Sequence, residues 1–206
     1  TISDAPATLN TASAGGGDKA VLNAATSYTA NAALSLAEAT QLIKDGNFDD
    51  VYSIEDTNSQ FVVVKPAEDA TLLTDAVTVT ISEDVGGVEA DLTYVAYASV
   101  DAVVLTDSLA ALDTSRGLGA AGAVSFATSI TINEATANGN DDITMGNIAE
   151  VNALVAVVSA TTYTVVDSYG DFYTNGVLLT GANQANENGA VTSLLNNAAV
   201  VEVSDA

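Results

Sequence analysis

The chain has no cysteine, no histidine and no tryptophan. Without cysteine there are no disulfides, thiolate metal sites or thiol nucleophiles. Without histidine the most frequent general base is gone, and with it the imidazole ligand of most zinc sites. Basic residues are nearly absent as well. Lys19, Lys44, Lys65 and Arg116 stand against 27 Asp and Glu, a net charge of −23. Such a surface repels phosphate, which argues against nucleic acid as a partner. Anionic membrane surfaces are disfavoured for the same reason. No stretch approaches the roughly 18 consecutive apolar residues of a membrane span, so no membrane insertion is expected. The chain opens on Thr1 with no basic segment and apolar run behind it, and reads as a processed product or an excised piece.

What remains is rich in small residues: Ala, Thr, Ser, Val, Gly and Asn. Hydrophobic residues make up 48% and charged residues 15%, which separates the chain from disordered acidic tails and allows a buried core. The composition suits an extracellular or cell-surface product.

Enzyme readings find little to stand on. Paired carboxylates can hydrolyse glycosides, but 27 acids supply pairs by chance. A sugar cleft also wants stacking aromatics. A lyase acting on uronates wants basic residues, and the four here are scattered. "SAGGGDK" has glycines and a lysine without the spacing of a phosphate loop. The expectation is a protein that is not an enzyme.

One short pattern recurs. Asp4, Asp56, Asp107, Asp167 and Asp205 each follow an aliphatic residue by two positions: Ile2, Ile54, Leu105, Val165 and Val203. Tyr52, Val103, Tyr163 and Val201 lie two positions earlier still. The residue after each Asp is small. Five after, where that position is present, stands Leu9, Phe61, Leu112 or Phe172. The alternation reads as a half-buried strand. The Asp ends it, because a short carboxylate accepts backbone N–H groups just ahead and turns the chain. The aliphatic and aromatic positions should be buried. The Asp spacings are 52, 51, 60 and 38 residues, which points to stacked repeats of about 50 residues.

A helical element accompanies the pattern. "LSLAEATQLIKDG" sets Ser35 three residues before Glu38, a capping box, with Leu36, Ala39, Leu42 and Ile43 on one face. "NIAEVNALV" repeats it with Asn147 and Glu150. "FVVVK", "AVTVTISEDV", "AVSFATSITI" and "GVLLTG" read as strands. Gly15-Gly16-Gly17, Gly86-Gly87, Asn138-Gly139, Asn175-Gly176 and Asn188-Gly189 read as turns. The expected fold is mainly β with two or three short helices. It would be a parallel β-solenoid-like stack forming one repetitive unit over residues 1–206, with repeats near 1–52, 53–103, 104–163 and 164–206. Two antiparallel β-sandwich domains are the alternative, because Asn-Gly turns favour hairpins.

"LSLAEATQLIKDGNFDDVYSIEDTNSQF" resembles a repeat of very large bacterial cell-surface proteins, the β-strand-repeat, adhesin-like and haemolysin-type calcium-binding family. The resemblance rests on Leu36, Ala37, Ala39, Gly46, Asn47, Tyr52, Ser53, Ile54, Asp56, Thr57 and Phe61. "VVSATTYTVVDSYGDFY" looks like the terminal region of some S-layer and haemolysin-type proteins. The resemblance covers about 30 residues well, and implies a surface, fibre or layer role without chemistry.

"NGNDDITMGN" is similar to one turn of the haemolysin-type nonapeptide. In such turns backbone carbonyls and Asp side chains give calcium the hard oxygen ligands it prefers. Asn140, Asp141 and Asp142 are therefore candidate calcium ligands. Asp49 and Asp50 of "KDGNFDDVY" are a looser pair. A calcium roll needs several adjacent nonapeptides, and one imperfect copy does not make one.

The sequence thus leads to a structural subunit or repeat segment of a bacterial extracellular filament, surface layer or giant adhesin. A ligand-binding adhesin module for glycans or cell surfaces is the alternative, and a phage fibre domain the weaker one. "TISDAPATL" and "VEVSDA" share the recurrent pattern. This suggests that copies join head-to-tail, covalently or between subunits.

Overall fold

The computed structural model describes residues 2–15, 19–44, 48, 51–64, 70–133, 142–144, 147–167, 173–174, 177–178 and 198–203. The chain forms two compact units, Thr1–Val103 and Val104–Ala206. In the first lie β1 (Ile2–Asp4), α1 (Pro6–Ser13), α2 (Lys19–Ala24), β2 (Tyr28–Ala30) and α3 (Leu36–Leu42). They are followed by β3 (Ser53–Asp56), α4 (Asn58–Val64), α5 (Ala70–Thr74), β4 (Thr78–Glu83) and α6 (Val85–Glu89). The division falls within β5 (Ala102–Asp107). The second unit continues with α7 (Leu109–Gly117), two 3-10 turns (Gly119–Ala121 and Ala123–Ser125), β6 (Ser129–Ile132), β7 (Asp142–Ile143) and α8 (Ile148–Val157). It ends with β8 (Thr161–Thr162), β9 (Thr164–Asp167), β10 (Tyr173–Thr174), β11 (Val177–Leu178) and β12 (Val200–Val203).

The main sheet is parallel, in the order β3-β4-β5-β6-β8. A parallel pair β1-β2 and a parallel sheet β12-β9-β7 accompany it. β10 and β11 pair antiparallel, with Thr174 opposite Val177. Helix makes up 42% of the described residues. The fold is therefore mixed α/β with a central parallel sheet. The mainly β expectation is wrong, in its solenoid-like form and in its antiparallel sandwich form. The reason is topological: parallel neighbours cannot be joined by a hairpin, so the chain must cross over between them, and here it does so through helices.

The register explains the spacing of about 50 residues. Ile54 lies opposite Val79, 25 residues on, and Leu105 opposite Ile130, again 25 on. Each pattern strand has a second strand beside it that lacks the terminal Asp. Asp4 lies opposite Ala30, Asp56 opposite Ile81, Asp107 opposite Ile132 and Asp167 opposite Val203. One 50-residue interval therefore holds two strands, an Asp-ended strand and its partner. Val203 occupies the place of Ile81 and Ile132. β12 is thus the partner strand of β9. Asp205 itself lies outside the described residues.

The recurrent positions build the core. Tyr52, Ile54, Val103, Leu105, Tyr163 and Val165 are buried, as are Leu9, Phe61 and Leu112. Phe172 lies outside the described residues. Val79, Ile81, Ile130 and Ile132 of the partner strands are buried beside them. Tyr28, Phe48 and Tyr52 form a tilted aromatic run, with ring centroids 5.4 and 5.9 Å apart.

After each of three strand-ending Asp residues a helix begins: α1, α4 and α7. The small residue after the Asp is the helix N-cap. Ser108 Oγ accepts the N–H of Ala111 at 3.3 Å. Thr57 Oγ1 accepts that of Gln60 at 3.3 Å. Pro6 stands at the first helical position of α1, where its missing N–H costs nothing. "FVVVK" therefore enters a helix: Phe61 to Val64 belong to α4. Valine's preference for strands is weak and yields to a cap and a buried face. Gly86-Gly87 likewise lies inside α6, whose cap Asp84 accepts the N–H of Gly87.

Truncating Ile54, fully buried in β3, should cost about 2–5 kcal/mol. Replacing the adjacent exposed Glu55 with Ala should change stability by no more than about 0.5 kcal/mol. Urea unfolding of Ile54→Ala and Glu55→Ala measures both. Equal effects would contradict the burial register of β3.

Candidate functional site

The carboxylates that the structure places best serve the backbone. Asp56 Oδ1 accepts the N–H of Thr57 at 2.8 Å, and its Oδ2 accepts that of Leu36 at 3.0 Å. Leu36 is the first residue of α3, so one side chain ends β3 and satisfies a helix terminus 20 residues back. The capping box is present there: Ser35 Oγ accepts the N–H of Glu38, and Glu38 accepts that of Ser35 at 2.9 Å. Asp107 and Asp4 accept the N–H groups of Ser108 and Ala5, each at 2.7 Å. Asp101 Oδ2 accepts the N–H of Val79 at 2.8 Å, and its own N–H donates to Val79 O at 2.9 Å.

The candidate calcium ligands are not brought together by anything described. Asn140, Asp141, Asp49 and Asp50 lie outside the described residues. Asp142 sits in β7, its backbone opposite Thr164 of β9. Among the described residues no three Asp or Glu gather in a way that could hold a metal ion. Asn147 does not cap α8 with its side chain. Its Oδ1 instead accepts the N–H of Thr144 at 3.1 Å and the hydroxyl at 2.9 Å.

Open recesses lie on the surface of the described residues. One of about 560 Å³ lies beside β1, lined by Ile2, Ala20, Val21, Ala24, Ala25 and Thr26. A second, of about 330 Å³, includes Ala33, Val51, Tyr52 and Val77. A third, of about 300 Å³, lies between α7 and α8 and holds Asp113, Asn147 and Glu150. Asp113 is already engaged by Arg116, whose Nη2 lies 2.6 Å away and Nε 2.9 Å away. The first recess is mostly apolar, and the second mixes apolar residues with Asn31 and Ser53.

Asn58 was not singled out from the sequence. It is 1% exposed and its Nδ2 donates to Gly87 O at 3.0 Å and Asp91 O at 2.9 Å. It ties the start of α4 to the end of α6. The available signal was its position two residues after a strand-ending Asp. At the turn it anchors, Asp91 accepts hydrogen bonds from Thr93, chiefly from the side chain and then from the backbone, which hold its carboxyl below the ordinary range. Burial pushes the Tyr163 phenol up to about 12.

Comparison with protein-family models, with curated proteins and with solved structures finds no match to this chain.

The Tyr163 shift predicts a direction for alkaline stability. The folded chain holds this proton to about pH 12, whereas an unfolded tyrosine releases it near 10. Below pH 10 the term is constant. As pH rises from 10 towards 12, ionisation favours the unfolded chain, so stability falls. Denaturant midpoints should drop in that window, and Tyr163→Phe should lessen the drop. An unchanged pH profile in the variant would contradict the assignment.

Proposed function

We propose that this chain is a structural subunit or repeat segment of a bacterial extracellular filament, surface layer or giant adhesin, assembling with copies of itself head-to-tail. The observation that carries this reading is the repeated local element. Strand, Asp turn and helix recur as β1-α1, β3-α4 and β5-α7, each with its fifth residue after the Asp in the core. A fold made by repeating one element extends by adding more of it, as scaffolds do. The resemblance of residues 34–61 to repeats of large surface proteins supports the same reading. So does the use of the strand-end carboxylates on backbone N–H groups. The role proposed is architectural and non-enzymatic, at the cell surface or beyond it.

Immunogold electron microscopy of the producing cells tests the reading directly. Label should fall on surface fibres or a surface layer at a regular interval. Label confined to the cell interior would overturn it.

Calcium is part of the proposal as a counter-ion. A charge of −23 on a compact chain repels itself and its copies, and clustered carboxylates bind calcium through several oxygens. Ligand binding to the folded state raises apparent stability. Thermal unfolding should move up in millimolar calcium and down with a chelator. Equal melting in calcium and in sodium at matched ionic strength would remove calcium from the proposal.

A further inference from the structure

Within the chain, the partner strand β4 takes the next Asp-ended strand, β5, on its far side. β4 pairs with β3 on one side and has β5 on the other. Here the N–H of Asp101, just ahead of β5, donates to Val79 O at 2.9 Å. β6 pairs with β5 and on its far side takes β8, which runs through Tyr163 directly into the Asp-ended β9. β12 is the partner strand of β9 and stands at the end of its sheet. No described strand lies on its far side. β1 is an Asp-ended strand, and its own far side likewise has no described strand.

The backbone groups on those two sides are identifiable. Ile2 donates to Ser27 O and Asp4 accepts from the N–H of Asn31, so Ile2 and Asp4 face β2. The alternation of a strand then turns the N–H and C=O of Ser3 the other way. Ala199 donates to Tyr163 O, so Val201 and Val203 face β9, and Val200 and Glu202 turn outward. The side chains also match. Val200 and Val201 are 45% and 44% exposed. Beside β1 lies the apolar recess of Ile2, Ala20, Val21 and Ala24, with Val21 56% exposed.

We infer that β12 of one copy pairs in parallel with β1 of a second copy, in the way β4 takes β5. Val200 of the first copy, which such pairing sets on the Ile2 face, is then covered by the apolar recess of the second. This inference rests on the self-assembly proposed above and names its interface. The contact is heterologous, so it propagates and does not close into a dimer. Asp4 and Glu202, both exposed, approach each other across it, so association strengthens as salt or calcium screens them.

The test uses the full chain in sedimentation-velocity runs over a range of concentration, with and without calcium. Ser3→Pro and Val200→Pro each remove an outward N–H and leave the pairing with β2 or β9 intact. Each should weaken association at least about tenfold, with melting unchanged from the parent. The parent chain has no cysteine, which permits a second measurement. Ser3→Cys mixed with Val201→Cys, the residue that parallel pairing sets opposite Ser3 on the same face, should form a disulfide between the two kinds of copy on mild oxidation, whereas Ser3→Cys alone should not. Association that survives both proline changes overturns the inference, as does a chain that stays monomeric in calcium or a mixture that forms no mixed disulfide. The surface-labelling experiment is independent. Surface label with no effect of the proline changes leaves the architectural role standing and removes only this interface. Edge pairing in solution without surface label does the reverse.

Discussion

Two bonds to one carboxylate hold together what lies at the end of β3. Asp56 takes the first amide of the next turn with one oxygen and the first amide of α3 with the other. Both amides are of the kind that a strand end or a helix start leaves unsatisfied. A helix N-terminus carries partial positive charge, and an anion is favoured there. Removing such an acceptor leaves a donor without its partner, at a cost of about 1–3 kcal/mol where it is buried. At Asp56 one acceptor serves three needs at once: the strand stops, the next helix starts, and the helix before it is tied alongside. Asp107 and Asp4 repeat the first of these bonds, and Asp84 performs the same service for α6.

This use of acids also accounts for a composition that looks hostile to folding. With 4 basic residues against 27 acids, pairing charge with charge cannot be the general solution. Arg116 with Asp113 is such a pair, and it sits on a helix surface where a pair contributes little. The carboxylates that matter to the fold are instead answered by backbone N–H groups. Glu55, Asp75, Glu150 and Glu202 are exposed, where like charges on separate copies repel, which is why screening enters the assembly proposed here.

Much of this was legible in the sequence, and the misreadings share one cause. Tyr52, Ile54, Val103, Leu105, Tyr163 and Val165, and the large apolar residues Leu9, Phe61 and Leu112, are buried as the alternation implied, whereas Val201 is 44% exposed. The capping box at Ser35 and Glu38 is present. The helix after each Asp was missed. "TNSQFVVV" carries valines that favour strands, and the signal that outweighs them is a single cap, Thr57, with Gln60 three residues on. Thr57 and Ser108 were read only as small residues. Once those helices are overlooked, the chain looks mainly β and the 50-residue interval looks like one repeat. The partner strands were hidden for a different reason. "TVTISE", "SITI" and "VVEV" share no residue that marks them, since their role is set by what lies beside them. The candidate calcium ligands came from local spacing, which speaks to ligand type but not to whether distant segments converge.

The step of about 25 residues between paired strands has a kinetic corollary. Ile54 meets Val79 and Leu105 meets Ile130 across 25 residues each, and Val165 meets Val201 across 36. Each pairing closes a loop of similar modest length, and the entropy of closure rises only slowly with loop size. Contact order therefore stays low for a parallel sheet, a class in which distant pairing usually makes folding slow. Each strand can dock as soon as the helix before it has formed, onto a neighbour that is already in place. Such a chain can fold from its first residue onward as it is delivered, and lengthening it adds further steps of the same kind without making any one of them slower.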